Sequence, residues 1–152
     1  SGWGQLSSGA WCNYQNLPVH DITYGKLYNW YAIDNQNICP QGWHVPADAD
    51  WATLGSYLGG TNIAGGKMKA TYSWNAPNLG ATNASGFTAL AGGVRNLPSG
   101  DFVGFGQHGS WWSATSSSST EARFQYVSYA GASIDSTEGP KRFGLAIRCV
   151  RD

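Results

Sequence analysis

Apolar positions fall at helical spacing in two places early in the chain. In YGKLYNWYAI, Tyr24, Leu27, Tyr28 and Tyr31 occupy i, i+3, i+4 and i+7 of one helical face. This predicts a first helix over about residues 23 to 33. VPADADWATLGSYLGG repeats the pattern with Trp51, Leu54 and Leu58. Pro46 precedes it, Asp48 and Asp50 suit the positive end of a helix dipole, and Gly59-Gly60 stops it. From Gly60 to Asp152 no helical period recurs, so the C-terminal part reads as strands and loops.

The clearest strand is the last. RFGLAIRCV alternates Phe143, Leu145, Ile147 and Cys149 with Arg142, Gly144, Ala146 and Arg148, and the small residues of the second set suggest a covered face. Upstream, Phe124 and Tyr126 alternate with Arg123 and Gln125, YAGA offers a turn, and Ile134 returns between Ser133 and Asp135. That is a hairpin with Phe124, Tyr126 and Ile134 toward the core, leaving Arg123, Gln125, Tyr129, Ser133 and Asp135 outside. On pattern alone the outer face is ordinary solvated strand surface. The Ser116–Thr120 hydroxyl run reads as a loop at its edge. Adjacent Trp111 and Trp112 must point to opposite faces of a strand, and Trp111 is assigned as the exposed one.

Composition narrows the classes. The chain has 152 residues, enough for one domain with a real core. Charged residues make up 12%, against about 25% in ordinary domains, while aromatics reach 14% and glycine 21 positions. Solubility must rest on Ser, Thr, Asn and Gly, a mixture that suits an extracellular protein and resembles binding faces rich in Tyr and Trp. Nine basic and nine acidic residues cancel without a basic cluster, which argues against nucleic acid. No apolar run approaches the roughly 20 residues of a membrane span, and no signal peptide is visible. The chain reads as a mature excised domain. Cys12, Cys39 and Cys149 are spaced for neither a zinc knuckle nor a Cys-x-x-Cys pair. One disulfide with one free thiol, and three reduced buried thiols, both fit that count.

WCNYQN, YGKLYNWYAI, CPQGWHVPADADW, LGG, AGGKMKA, WNAPNLGATNASGFTALAGGVR, GSWWSAT and FGLAIRCVRD follow one another over nearly the whole chain. In that order they resemble the Fibrobacter succinogenes major paralogous domain family, a bacterial surface-protein module. The resemblance implies an α+β, C-type-lectin-like fold for residues 1–152. Two helices would pack on a small twisted antiparallel sheet, with N- and C-terminal strands close together and long loops between. It also implies a Cys39–Cys149 disulfide, and kinship in fold with formylglycine-generating enzymes and with retroelement-diversified variable proteins.

Departures from the family pattern carry information. Where relatives place a capping Thr or Ser and a Glu three residues on, this chain has Ala47 and Asp50. The missing hydroxyl should cost about 1 kcal/mol, with Asp48 as a substitute cap. Trp74-Asn75-Ala76-Pro77-Asn78 has the outline of a calcium lectin site but lacks its acids, so neither calcium nor any other metal or cofactor is implied. Asp48 and Asp50 read as helix N-terminal residues, not ligands. Formylglycine-generating relatives use paired C-terminal cysteines, and here Cys149 stands alone in that region. His20, His44 and His108 lack helical metal-site spacing. GGKMKA, without the Gly-Lys-Ser/Thr ending, reads as a turn. No catalysis is expected.

The resulting expectation is a binding module, adhesin-like or receptor-binding, that is monomeric and grips a protein or carbohydrate on a cell surface through residues 105–142. The resemblance to variable proteins makes Arg123, Gln125, Ser128, Ser133, Asp135 and Lys141 candidate contacts, with His108, Ser110 and Trp111 beside them. The competing class is a structural or assembly module of a large surface protein with no ligand of its own.

Overall fold

The computed structural model describes residues 2–34 and 38–152. The elements run β1 (Trp11–Cys12), α1 (Val19–Tyr24), β2 (Leu27–Tyr28), α2 (Tyr31–Asp34), β3 (Trp43–His44), α3 (Asp48–Tyr57) and α4 (Thr61–Met68). Then follow β4 (Gly92–Arg95), β5 (Phe102–Phe105), β6 (His108–Ser116), β7 (Glu121–Ser128), β8 (Ile134–Pro140) and β9 (Val150–Arg151). The domain is α+β, with short helices and small antiparallel sheets. The pairs are β1–β2, β3–β9 and β4–β5, and β6–β7–β8 form a three-stranded meander.

The single helix expected over residues 23 to 33 does not form. Gly25, at φ +72°, ends α1, and Leu27–Tyr28 become a strand paired with Trp11–Cys12. A left-handed residue in mid-helix is incompatible with continuation. The fully buried Asn29 fixes the next turn: its Oδ1 accepts from the Ala10 N–H at 2.9 Å and its Nδ2 donates to the Ser8 carbonyl at 2.8 Å.

Helix α3 occupies its expected place. Asp50 Oδ2 accepts from the Ala47 N–H at 2.9 Å, which is half of a capping box. The absent cap hydroxyl is replaced from a distance, because Thr115 Oγ1 on β6 accepts from the Asp48 N–H at 3.1 Å. Asp48 therefore does not cap the helix; its carboxylate pairs with Arg123.

Helix α4 was not visible in the pattern, and GGKMKA is not a turn. A Cβ on Gly65 would stand 2.0 Å from the Ser133 carbonyl oxygen, and one on Gly66 would stand 2.4 Å from that of Gly80. The glycines that lower helix propensity are the residues that let α4 touch neighbouring backbone. Gly66 N–H donates to the Ala132 carbonyl at 2.8 Å. Just beyond, Lys69 is wholly buried, and its ammonium donates to the carbonyls of Leu79 (2.8 Å), Ser128 (2.8 Å) and Gly131 (2.7 Å).

The segment expected as one long final strand is extended but makes only isolated bridges. Gly144 pairs with Arg95, Leu145 with Tyr28 and Ala146 with Trp111. It laces three sheets together and belongs to none, and its small residues are needed for that. A Cβ on Gly144 would lie 2.8 Å from Arg95 Cβ. Beyond it, β9 pairs with β3 and not with an N-terminal strand.

Strand β6 divides the core. Trp111, 3% exposed, packs with Trp51, Met68, Val127 and Ile134 beneath α3 and α4. Trp112, fully buried, packs on the opposite side with Trp30, Ala122 and Leu145. The two do face opposite ways, but neither is exposed, because both faces of the strand are covered. Indole N–H groups tie distant segments: Trp30 donates to Ser113 O (2.9 Å), Trp112 to Tyr28 O (2.8 Å) and Trp3 to Arg142 O (2.7 Å). The Cys39–Cys149 disulfide forms across 110 residues, and Cys12 is a free, buried thiol.

Candidate functional site

The register of the meander decides which side chains meet. Residues directly opposite one another in an antiparallel pair share a face. One face carries three rows: Trp112, Phe124 and Thr137; then Ser110, Tyr126 and Asp135; then His108 and Ser128. Thus His108, Ser110, Ser128 and Asp135 are brought together, and Ser133 joins them by donating its hydroxyl to Asp135 Oδ2 at 2.7 Å. Phe124 and Tyr126, expected in the core, are half-buried on this same face.

The reason is parity. Val127 pairs with Ile134 on the other face, under the helices, so the apolar interior of this hairpin lies on the Gln125 side. Gln125 is consequently 6% exposed and not outward. Its Nε2 donates to Ser136 Oγ at 3.0 Å, and Arg123 Nη2 reaches the same oxygen at 3.1 Å. With the Arg123–Asp48 pair these bonds fasten β7 and β8 to α3. A cavity of about 270 Å³ remains there, bounded by Asp48, Trp51, Arg123 and Gln125. Lys141 is also placed elsewhere: it is 7% exposed, with its ammonium 4.3 Å from the centre of the Trp30 ring. The nine candidates are therefore divided, with five around one face and Arg123, Gln125, Trp111 and Lys141 held in structural contacts.

The face holds a groove of about 350 Å³ bounded by Val94, His108, Ser110, Phe124, Tyr126, Thr137, Phe143 and Leu145. Its aromatic side is a chain of edge and tilted contacts. Phe124 lies 6.4 Å from Tyr126, 6.5 Å from Phe143 and 5.8 Å from Trp112 between ring centres, and His108 lies 6.5 Å from Tyr126. Burial holds the His108 pKa below the ordinary histidine value, so the ring is neutral at neutral pH and offers one donor and one acceptor. Phe124, Tyr126, Thr137 and Phe143 are the residues the sequence reading left out of the site. Their signal was Val127, whose burial reverses the assignment of faces.

Among the described residues no three His, Cys, Asp or Glu side chains converge on a metal position, and no helix is long and apolar enough to cross a membrane. The disulfide engages Cys149, so the C-terminal region presents no thiol.

In class, then, the chain is a disulfide-linked α+β domain of small antiparallel sheets with a half-exposed aromatic groove on its meander. The model of the family described as Fibrobacter succinogenes major domain matches residues 4–151, and the chain belongs to that family. No curated protein and no solved structure matches it.

Proposed function

We propose that this domain is a non-catalytic ligand-binding module of a bacterial surface or secreted protein, with a C-type-lectin-like arrangement of its helices and sheets. The ligand, a protein or a carbohydrate on a cell surface, lies on the β6–β7–β8 face. One observation carries the reading. Phe124, Tyr126 and Phe143 stay half-buried around a groove whose rim bears His108, Ser110 and Thr137, with Asp135 directly across the strand pair from Tyr126. Leaving aromatic rings in water forgoes burial free energy of about 25 cal/mol per Å² of apolar area, and a volume of about 350 Å³ is within the range of small-ligand sites. Rings give contact area at little entropic cost, and the polar rim gives direction. The kinship with diversified variable proteins suggests that residues of this face differ between copies of the gene.

The test is a screen of the purified domain against a glycan array and a panel of bacterial and host surface proteins. Tyr126→Ala and Asp135→Asn follow against whichever ligand is found. Both should weaken binding at least about tenfold, or 1.4 kcal/mol, while Arg123→Ala should leave it within a factor of two or so. If no ligand emerges, or Tyr126→Ala leaves binding intact, the competing reading of a structural or assembly module takes its place. Deep sequencing of the 3′ end of the gene in a growing population tests diversification separately.

A further inference from the structure

A further cavity, separate from the groove, is larger than it, at about 420 Å³. Segment 21–28 forms one wall, including Asp21, Tyr24, Lys26 and Tyr28. Gly92 lines the cavity beside Tyr24, and an added Cβ there would meet Tyr24 Cβ at 3.5 Å and nothing nearer. Arg148 also lines it.

We infer that this cleft is a binding site for a neutral, hydroxyl-rich ring: a sugar residue, either free or at the end of a glycan chain. The wall chemistry selects that class. Lys26 is already engaged, with Nζ 2.5 Å from Asp21 Oδ2 and 4.4 Å from the centre of the Trp11 ring. It adds no free positive charge, and the Asp21 carboxylate in the wall opposes the pull of the Arg148 guanidinium on phosphate or sulfate, which leaves little net attraction for an anion. That carboxylate has more acceptor sites than one lysine fills.

Arg148 supplies donors. Its Nη2 reaches the Phe87 and Thr88 carbonyls at 3.3 and 3.4 Å, and the group lies 4.8 Å above the Phe87 ring. A guanidinium has five N–H donors, so this anchoring orients the group without exhausting it.

Two phenols line the cleft as well. The Tyr24 and Tyr28 hydroxyls make no hydrogen bond among the described residues. Burial, the largest influence on Tyr28, raises its pKa, with Lys26 acting the other way and Asp21 with it. A neutral phenol both donates and accepts, as a sugar hydroxyl does.

The experiment uses free cellobiose, maltose, lactose and chitobiose, and the same sugars immobilised through their reducing ends. Amide shifts of the isotope-labelled domain are followed during titration. At least one sugar should give saturable shifts at Gly92, Tyr24 and Arg148 with millimolar affinity. Gly92→Val, whose Cβ makes only ordinary contact with Tyr24 and whose methyls fill space in the cleft, should abolish them. Tyr28→Phe should weaken binding about tenfold with an unchanged melting temperature. Binding of free sugars assigns a soluble ligand, and binding of immobilised sugars alone assigns a glycan terminus.

The inference is overturned if no probe gives saturable shifts in the cleft, or if Gly92→Val binds like the parent while remaining folded. Shifts confined to Tyr126 and Asp135 also overturn it, and place the sugar in the groove of the proposed function. The two sites therefore fail independently.

Discussion

Replacing Lys69 by Met tests the reasoning about the interior most sharply, because methionine follows the lysine stem as far as Cε and lacks only the ammonium that donates. The ammonium has three N–H donors and meets three carbonyls at 2.7–2.8 Å, those of Leu79, Ser128 and Gly131. Among the described residues no carboxylate pairs with it. Burial pulls its pKa below the ordinary lysine value, which is the sign of a charge held at a desolvation cost. In the Met variant the Ser128 oxygen keeps a long bond from the Gly131 N–H at 3.4 Å, whereas Leu79 and Gly131 have no other donor in view. Two buried carbonyls at about 1–3 kcal/mol each give a loss of roughly 2–6 kcal/mol. Removing the buried ammonium returns part of this, leaving about 2–4 kcal/mol. For a domain of this size that is a fall of roughly 5–15 °C in melting temperature. Thermal unfolding measures the loss, and hydrogen exchange should show it concentrated at residues 78–80 and 129–132. A Lys69→Met protein melting at or above the parent temperature would refute the account, and the lysine would then be a net burden kept for another reason.

Gly65→Ala should destabilise by about 3 kcal/mol or more, since the new methyl meets the Ser133 carbonyl oxygen at 2.0 Å and backbone must move; denaturant titration measures it, and a stabilised variant would contradict the packing of α4. Replacing Cys39 and Cys149 together by Ser should cost about 4–5 kcal/mol in the chain-entropy model for a bridge spanning 110 residues; a change in the urea midpoint equivalent to less than about 1 kcal/mol would sink that estimate. Two histidines should act oppositely with pH. His44 has its pKa raised, first by its 2.6 Å bond to Asp152 and then by Asp50, so its contribution is complete below the unfolded value near 6.5 and is lost as pH rises through the higher folded value; His44→Gln should lower the melting temperature at pH near 5.5 and not near 8.5, and an equal effect at both would refute the clasp. His108, with its pKa lowered by burial, should cost stability as pH falls below about 6.5, so the acid side of the profile should flatten in His108→Asn.

What the sequence reveals depends on whether the signal is local. Helix α3 is legible because its cues are adjacent: Asp48 and Asp50 at one end, Gly59-Gly60 at the other. The loop at 117–120, one residue shorter than the expected run because Ser116 ends β6, and the turn at Tyr129 are legible for the same reason. The Cys39–Cys149 bridge is legible only through the family resemblance, since three cysteines alone leave the pairing open. Helix α1 was misplaced because Tyr24, Leu27, Tyr28 and Tyr31 have helical spacing by coincidence, and the single Gly25 overrides it. Helix α4 is hidden because Gly65 and Gly66 answer to Ser133 and Gly80, which are far away in sequence. The substitute cap on α3 is Thr115, 67 residues away from Asp48, and no reading of a local window finds it.

The site was half legible for a related reason. Alternation assigns a strand one wet face and one dry face, and that holds only when nothing covers the second. Here α3 and α4 cover the Gln125–Val127 side, while the 144–146 segment and Trp30 cover only one end of the other. The groove opens where that cover stops. On β6 the side chains of this face shrink from Trp112 to Ser110 before His108, so the aromatic floor drops away beside Tyr126. On β8, Gly139 leaves room for the Phe143 ring, 2.7 Å from where a Cβ would stand. A small residue on one strand and a missing side chain on another therefore make the depression. The half-buried rings around it are those that alternation alone sends to the core. Position along the sheet, set by where the C-terminal segment crosses, distinguishes a core aromatic such as Trp112 from a groove aromatic such as Tyr126, and that crossing is a property of the assembled fold.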